Sequence, residues 1–153
     1  MKLTLTALTL ASLTLAAPVF AQDAMGDAAA GEKVFAKCQT CHVIADADGN
    51  VLGGKNAKTG PNLYGLPGRV AGTYEGFKYG KSIVALGETG FVWDEASFVE
   101  YAADPAKFLK AKLDDKSAKS QMAFKLPKEE DAKNVWAYIV SLSPVVEAAP
   151  ASN

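Results

Sequence analysis

Cys38-Gln39-Thr40-Cys41-His42 contains every cysteine and the single histidine of this 153-residue chain. The run reads C-x-x-C-H, the attachment signature of a c-type haem. Two thiols three residues apart can reach the two vinyl groups along one porphyrin edge. The next residue then offers an imidazole nitrogen to the iron from beneath the ring. Two other chemistries use paired cysteines. A thioredoxin-type dithiol expects a βαβ context with the pair at a helix start, whereas glycine-rich, loop-like sequence follows His42. A structural zinc site needs four ligands, and no second cysteine pair or second histidine is present to complete one.

The length suits one domain, and the apolar content allows a packed core. Lys2 precedes an apolar run over residues 3–19, ending Val19-Phe20-Ala21. This fits a secretory signal over 1–21, cleaved after Ala21. The rival is a membrane anchor, but threonines and serines dilute the run, and it is short for a span with no positive flank behind it. The mature chain then starts at Gln22, with a domain over 22–143 and an Ala/Pro-rich tail over 144–153 that is expected to be disordered.

The formal net charge of −1 becomes −2 once Lys2 leaves with the signal. Bulk charge gives no sign of nucleic-acid binding. The charges are segregated, however. Residues 55–81 carry a balance of +4, residues 82–105 carry five acids and no base, and residues 106–128 carry a balance of +5. Such blocks can be solvated faces, or they can give a dipole that steers a charged partner.

Around the motif the chain reads as helices and loops. Asp27 can cap a helix from Ala28, with Gly31, Phe35 and Cys38 on one face. This helix delivers Cys38 and frays near Cys41-His42. Gly31 inside it points to a close approach by another element. Asp46-Ala47-Asp48-Gly49-Asn50 is turn chemistry, and Val51-Leu52 can form a short hairpin arm. The two aspartates suggest a calcium loop only until the ligand pattern stops, with no bidentate Glu to close it. Thr59-Gly60-Pro61-Asn62-Leu63 is extended loop. The Pro61 carbonyl is a free acceptor for the second ring nitrogen that a haem-ligating His must satisfy. Residues 64–92 are loop-rich, with a short helix expected near 78–86. Asp94 and Asp104 can cap two further helices, the second with Pro105 at its first position. Residues 113–121 form an irregular excursion. Pro127 is expected to start the last helix, with Glu129, Glu130 and Asp131 in its first turn and an apolar face of Ala132, Val135, Trp136, Ile139 and Val140.

Met122 gains interest from the haem. Methionine is ordinarily core filler. With His42 on one axial face, the other needs water, His, Lys or Met, and no other histidine is available. A loop-borne thioether can close over that face and favours Fe(II), which raises the potential.

The ordered series C-Q-T-C-H, K-T-G-P-N-L-Y-G-L-P-G-R, G-F-K-Y, V-W-D-E, E-Y-A-A-D-P, Q-M-A-F-K and W-A-Y-I resembles the class I cytochromes c, in particular the longer bacterial c2 and c-550 groups. The resemblance covers residues 26–143. It implies an all-α fold in which the first and last helices cross at Gly31, Phe35 and Tyr138, with short helices and long loops wrapped around one covalent haem c. It implies thioether links at Cys38 and Cys41, axial bonds from His42 and Met122, and Pro61 as acceptor for His42. Arg69, Tyr79 and Trp93 are implied at the haem propionates, Tyr101 near the Met122 sulfur, and Phe124 beside the exposed haem edge. Lys37, Lys58, Lys107, Lys119 and Lys125 are implied as a docking rim. There are departures. Residues 44–55 and 110–119 look like insertions relative to the short mitochondrial form. The asparagine that follows the family's propionate-binding tyrosine is replaced by Lys81, Ser82 and Ile83.

The function implied is a periplasmic one-electron carrier and not an enzyme. It would be a monomer without a permanent membrane anchor or nucleic-acid partner. Its donor would be the cytochrome bc1 complex, and its acceptor a terminal oxidase, a photosynthetic reaction centre or a denitrification reductase. The alternative is a haem enzyme or cytochrome subunit of the peroxidase kind. That alternative needs an open distal face and acid–base groups beside it.

Overall fold

The computed structural model describes residues 24–144. The signal segment 1–21 and the tail beyond Pro144 lie outside the described residues.

Asp27 caps the first helix as expected. Its carboxylate accepts from the N–H groups of Ala29 at 2.7 Å and Ala30 at 3.0 Å, satisfying donors that helix geometry leaves free. Helix α1 spans Ala28–Phe35. It is shorter than its apolar spacing suggests. Beyond Phe35 the chain continues through successive tight turns, with Cys38 N–H on the Phe35 carbonyl at 2.8 Å and His42 N–H on the Cys38 carbonyl at 2.9 Å. The hairpin arm is present. Strand β1, Val43–Ala45, pairs antiparallel with β2, Val51–Gly54, with an irregularity between Ile44 and Ala45. The acidic run between them is a turn closed on itself. Asp46 Oδ1 accepts from the N–H groups of Asp48 and Asn50, at 3.0 and 2.8 Å.

Four further helices follow among the described residues. Helix α2 is Lys81–Glu88, displaced from the expected 78–86 because Lys78-Tyr79-Gly80 stays extended. Helix α3, Glu95–Ala103, starts on a capping box between Asp94 and Ser97. Helix α4, Pro105–Lys112, has Asp104 as its cap and Pro105 in its first turn, where a missing N–H costs nothing. Helix α5 is Glu129–Leu142. Pro127 therefore lies just before this helix and not at its start. Lys128 takes the cap position without a side-chain bond, and the carboxylates at 129–131 face the positive end of the helix dipole.

The core runs along α5, whose Ala132, Val135, Trp136 and Ile139 are almost wholly buried together with Phe35, Ile44 and Leu109. Helices α1 and α5 cross at Gly31. A Cβ there would overlap the Asn134 carbonyl and lie 2.9 Å from the Tyr138 Cβ. Phe35 and Tyr138 flank the crossing with ring centroids 5.5 Å apart. One pairing had no visible signal in the sequence. Residues 68–71 run antiparallel to 91–93, with Trp93 N–H on the Arg69 carbonyl at 3.0 Å and Ala71 N–H on the Phe91 carbonyl at 2.9 Å.

Substituting Gly31→Ala gains about 0.5–1 kcal/mol of helix propensity. Overpacking against a backbone carbonyl costs about 1–3 kcal/mol and wins, because a backbone cannot swing aside as a side-chain tip can. Denaturant unfolding of the variant is expected to show a lower midpoint at unchanged slope.

Candidate haem site

A cavity of about 920 Å³ opens between the turn after α1, the 58–83 loops, α3 and the loop before α5. This is near the top of the range of about 300–1,000 Å³ usual for cofactor sites. Its lining gathers Cys38, Cys41, His42, Pro61, Arg69, Tyr79, Trp93, Tyr101, Met122 and Phe124. Lys37, Lys58 and Lys119 are at its walls, whereas Lys107 and Lys125 are not. Lys125 is engaged elsewhere, with its Nζ 2.6 Å from Asp104 Oδ2.

The first wall is the Cys38–His42 turn. Cys38 and Cys41 form no disulfide. Burial pushes the Cys38 thiol up to about 11 despite Lys37 nearby. A dithiol nucleophile needs the opposite shift, so this environment argues against thioredoxin-like exchange. His42 Nδ1 lies 2.8 Å from the Pro61 carbonyl oxygen. A carbonyl can only accept, so Nδ1 carries the proton and the Nε2 lone pair is left for a metal. Burial lowers the His42 pKa, with the Pro61 bond opposing it. The loop carrying Pro61 is tied on either side of this bond. Gly60 N–H donates to the Cys41 carbonyl at 2.7 Å, and Leu63 N–H to the Val43 carbonyl at 2.8 Å. Gly60 has to be glycine here, since a Cβ would run into the His42 ring.

Arg69 and Trp93 meet through the 68–71 and 91–93 pairing. The Arg69 guanidinium donates to the Asn62 carbonyl at 3.0 Å and the Tyr64 carbonyl at 3.4 Å, and lies 5.2 Å from the Tyr74 ring centroid. Burial lowers its pKa, while Tyr79 and Tyr74 raise it. Burial raises the Tyr79 pKa. Trp93 stacks on Phe108 and meets Tyr101 edge-on at 5.1 Å. Among the described residues Arg69 makes no ion pair. The lining holds four lysines and Arg69 but no Asp or Glu. A half-buried guanidinium calls for an anion, and a cofactor with two carboxylates matches that charge.

Another part of the lining is the loop bearing Met122. Ser120 Oγ lies 3.3 Å from Tyr101 Oη and accepts from the Met122 N–H at 3.1 Å. Phe124 is 40% exposed at the cavity mouth. Cavity size, thiol pair, histidine tautomer and unbalanced positive charge all fit a haem attached at Cys38 and Cys41.

The cytochrome c2 of Rhodobacter capsulatus is 58% identical to this chain over 142 residues, covering 93% of this chain and 98% of that protein. That of Fuscovulum blasticum is 57% identical over 134 residues, covering 85% of each. The chain belongs to the class I cytochromes c, of the cytochrome c2 type. Crystalline cytochrome c2 from Rhodobacter sphaeroides superposes with a TM-score of 0.74 at 52% identity, over 82% of this chain and 99% of that one. Ferric cytochrome c-550 from Paracoccus versutus gives 0.73 at 45% identity, over 78% and 99%. No protein-family model matches the chain. As a cytochrome of this type it carries one covalent haem c and transfers electrons; it is not an enzyme.

The sequence reading missed Asn62, Ser120 and Lys78. Asn62 Oδ1 accepts from the N–H groups of Ala45 and Tyr64, both at 3.0 Å, and its Nδ2 donates to the Ala45 carbonyl at 2.7 Å. It therefore clamps β1 to the Pro61 loop. The only available signal was asparagine's habit of bonding nearby backbone. Lys78, on the cavity wall beside Tyr79, was legible only as part of a basic block.

Asn62→Ala strands two part-buried N–H groups and is expected to cost about 1–3 kcal/mol. Its denaturation midpoint should fall, and exchange of the Ala45 and Tyr64 amides should accelerate.

Proposed function

We propose that this cytochrome shuttles single electrons in the periplasm, with His42 and Met122 as the axial iron ligands and Cys38 and Cys41 as the thioether links. The observation that supports the reading is that a histidine and a methionine line one cavity. His42, with its proton committed to Pro61 at 2.8 Å, stands on one wall, and Met122 lines the same cavity from its own loop. When bound, the haem supplies a one-electron Fe(II)/Fe(III) couple, and a neutral imidazole with a soft thioether favours the reduced side.

The chain's own residues do the rest. Pro61 fixes the ring plane and basicity of His42. Leu63, Leu66, Leu126 and Val135 back the cavity with apolar surface and exclude water. A dry surround with fixed donors limits reorganisation when charge changes. Arg69, Tyr79 and Trp93 take the propionate end, and Tyr101 stands beside the Met122 loop through Ser120. With His42 and Met122 both holding the iron, no coordination position would be left for substrate, which would suit outer-sphere transfer. Phe124 marks the mouth through which an electron leaves.

The mouth also sets the partner class. Lys37, Lys58, Lys78 and Lys119 on a wall without carboxylates steer acidic partners to the exposed edge in fast, transient encounters. Lys37 is shared with Asp131 at 3.2 Å, and Lys107 and Lys125 contribute to the field from outside the lining. The donor is the cytochrome bc1 complex; the acceptor is a terminal oxidase, a photosynthetic reaction centre or a denitrification reductase. Residues 1–21 serve as the export signal, cleaved after Ala21. No described helix is long and apolar enough to cross a membrane.

Met122→His is expected to lower the reduction potential by on the order of 0.1 V or more, out of a span of roughly 0.8 V that axial ligands command. An unchanged potential would refute Met122 as a ligand. The reduced wild-type protein should resist carbon monoxide, and rapid binding would overturn the closed site. Transfer rates to an acidic oxidase should fall steeply as the Debye length shrinks from about 10 Å at 0.1 M salt to about 3 Å at 1 M. A flat salt series would remove the docking rim.

A further inference from the structure

Ser82 occupies the stretch where the family's asparagine is missing, and its hydroxyl has a partner in the Met122 loop. Ser82 Oγ accepts from the Lys119 N–H at 3.0 Å across 37 residues of sequence. We propose that Ser82 is a positioning residue for the Met122 loop, pinning it to α2 and setting how firmly the loop stays closed over the cavity. The proposal rests on Met122 as an axial ligand.

The loop has few other holds. Among the described residues no backbone-to-backbone hydrogen bond joins 119–125 to the rest of the protein. The nearest are Ala118 N–H on the Asp115 carbonyl, which is local, and Leu126 N–H on the Ala102 carbonyl at 2.7 Å, which holds the far end. Ala118 is buried and gives an apolar anchor. Between these ends the polar ties to helices and their caps are the Lys125–Asp104 ion pair close to the far end, at 2.6 Å, and two hydroxyl contacts nearer Met122. One is Ser82 with Lys119; the other is Ser120 with Tyr101, at the longer distance of 3.3 Å. A segment without a backbone ladder opens at low free energy, so each remaining tie weighs heavily on its closure.

Placement adds to this. Ser82 lies in the first turn of α2, two residues beyond Gly80, which takes the cap position without a side-chain bond. Gly80 abuts the same loop, since a Cβ there would lie 3.2 Å from Gln121 Cγ. Tyr79, one residue earlier, lines the cavity. The start of α2 therefore touches the Met122 loop at Lys119 and Gln121 while holding a cavity residue beside it. The serine bonds the ligand loop itself.

Ser82→Ala isolates the bond. Alanine is the better helix former, so α2 is not weakened by the change, and a more open loop cannot be attributed to a frayed helix. Three ferric holoproteins, wild type, Ser82→Ala and Ser82→Thr, are titrated with imidazole, which competes with the Met122 sulfur only when the loop opens. Amide exchange at Lys119 is followed in parallel. Ser82→Ala should bind imidazole roughly 2- to 10-fold more tightly, the range that one net hydrogen bond supports. Exchange at Lys119 should accelerate by a similar factor, with the amides of α2 unmoved. Ser82→Thr should return both readings to wild type. Wild-type affinity and exchange in Ser82→Ala would overturn the proposal, as would failure of threonine to rescue. The two readings separate in the visible spectrum. A ferric wild type lacking the far-red thioether-to-iron band overturns Met122 as ligand. A normal band with an unresponsive Ser82→Ala overturns the Ser82 pin alone.

Discussion

The hydrogen bond between His42 and the Pro61 carbonyl is the constraint on which the remaining structure depends. An imidazole has two nitrogens, and committing one to a fixed acceptor settles both the tautomer and the ring plane. That commitment is useful only if donor and acceptor belong to one rigid unit. They are nineteen residues apart, so the chain has to fasten the Pro61 loop to the motif turn. It does so through Gly60 on Cys41, Leu63 on Val43 and the Asn62 clamp on Ala45. The short hairpin is part of this fastening. Its first strand begins at Val43, the residue after the histidine, and the strand gives the loop a straight edge to bind.

The crossing of α1 and α5 serves the same end. Two backbones approaching at Gly31 place Phe35, the last residue of α1, against Tyr138. The motif turn springs from that anchored residue. Helices thus hold the ends of the site while loops build its walls. Leu63, Leu66, Leu126 and Val135 belong at once to the core and to the cavity lining. The covalent haem and the helices therefore complete one shared apolar core in this small domain.

Local chemistry was the legible part of the fold. Asp27, Asp94 and Asp104 each cap the helix that their position announces, and Gly31 marks the crossing because glycine inside a helix requires a reason. The spacing of C-x-x-C-H carried the cofactor. Non-local pairings were hidden. The ladder between 68–71 and 91–93 joins a glycine-rich loop to the end of another, with no alternation in either segment to suggest a strand. Arg69 and Trp93 could be assigned to one end of the haem from resemblance, but not from pattern. Helix ends were also hidden at three places, one of them the start of α2 at Lys81 and not at residue 78. At Phe35 the turn that carries the thiols tightens beyond α-helical spacing. At Pro127 the ring fixes its own backbone angle, yet the helix starts only after Lys128.

The charge blocks of the sequence acquire a meaning only through this geometry. In the acidic block 82–105, Asp94 and Asp104 spend their carboxylates on helix N–H groups. Glu100 pairs with Lys112 at 3.3 Å, and no carboxylate of this block reaches the cavity lining. The flanking basic blocks supply Lys58, Arg69, Lys78 and Lys119 to that lining. A chain with a net charge of −1 thus has only cations among the Asp, Glu, Lys and Arg residues of its cavity lining. Net charge would predict indifference to an acidic surface. The local field, which decides encounter within about a Debye length, predicts attraction. Lys125, from the same basic block, is engaged outside the lining. Its ammonium already serves Asp104, the cap of α4, and a partner that drew it away would loosen the helix start and the return of the Met122 loop together.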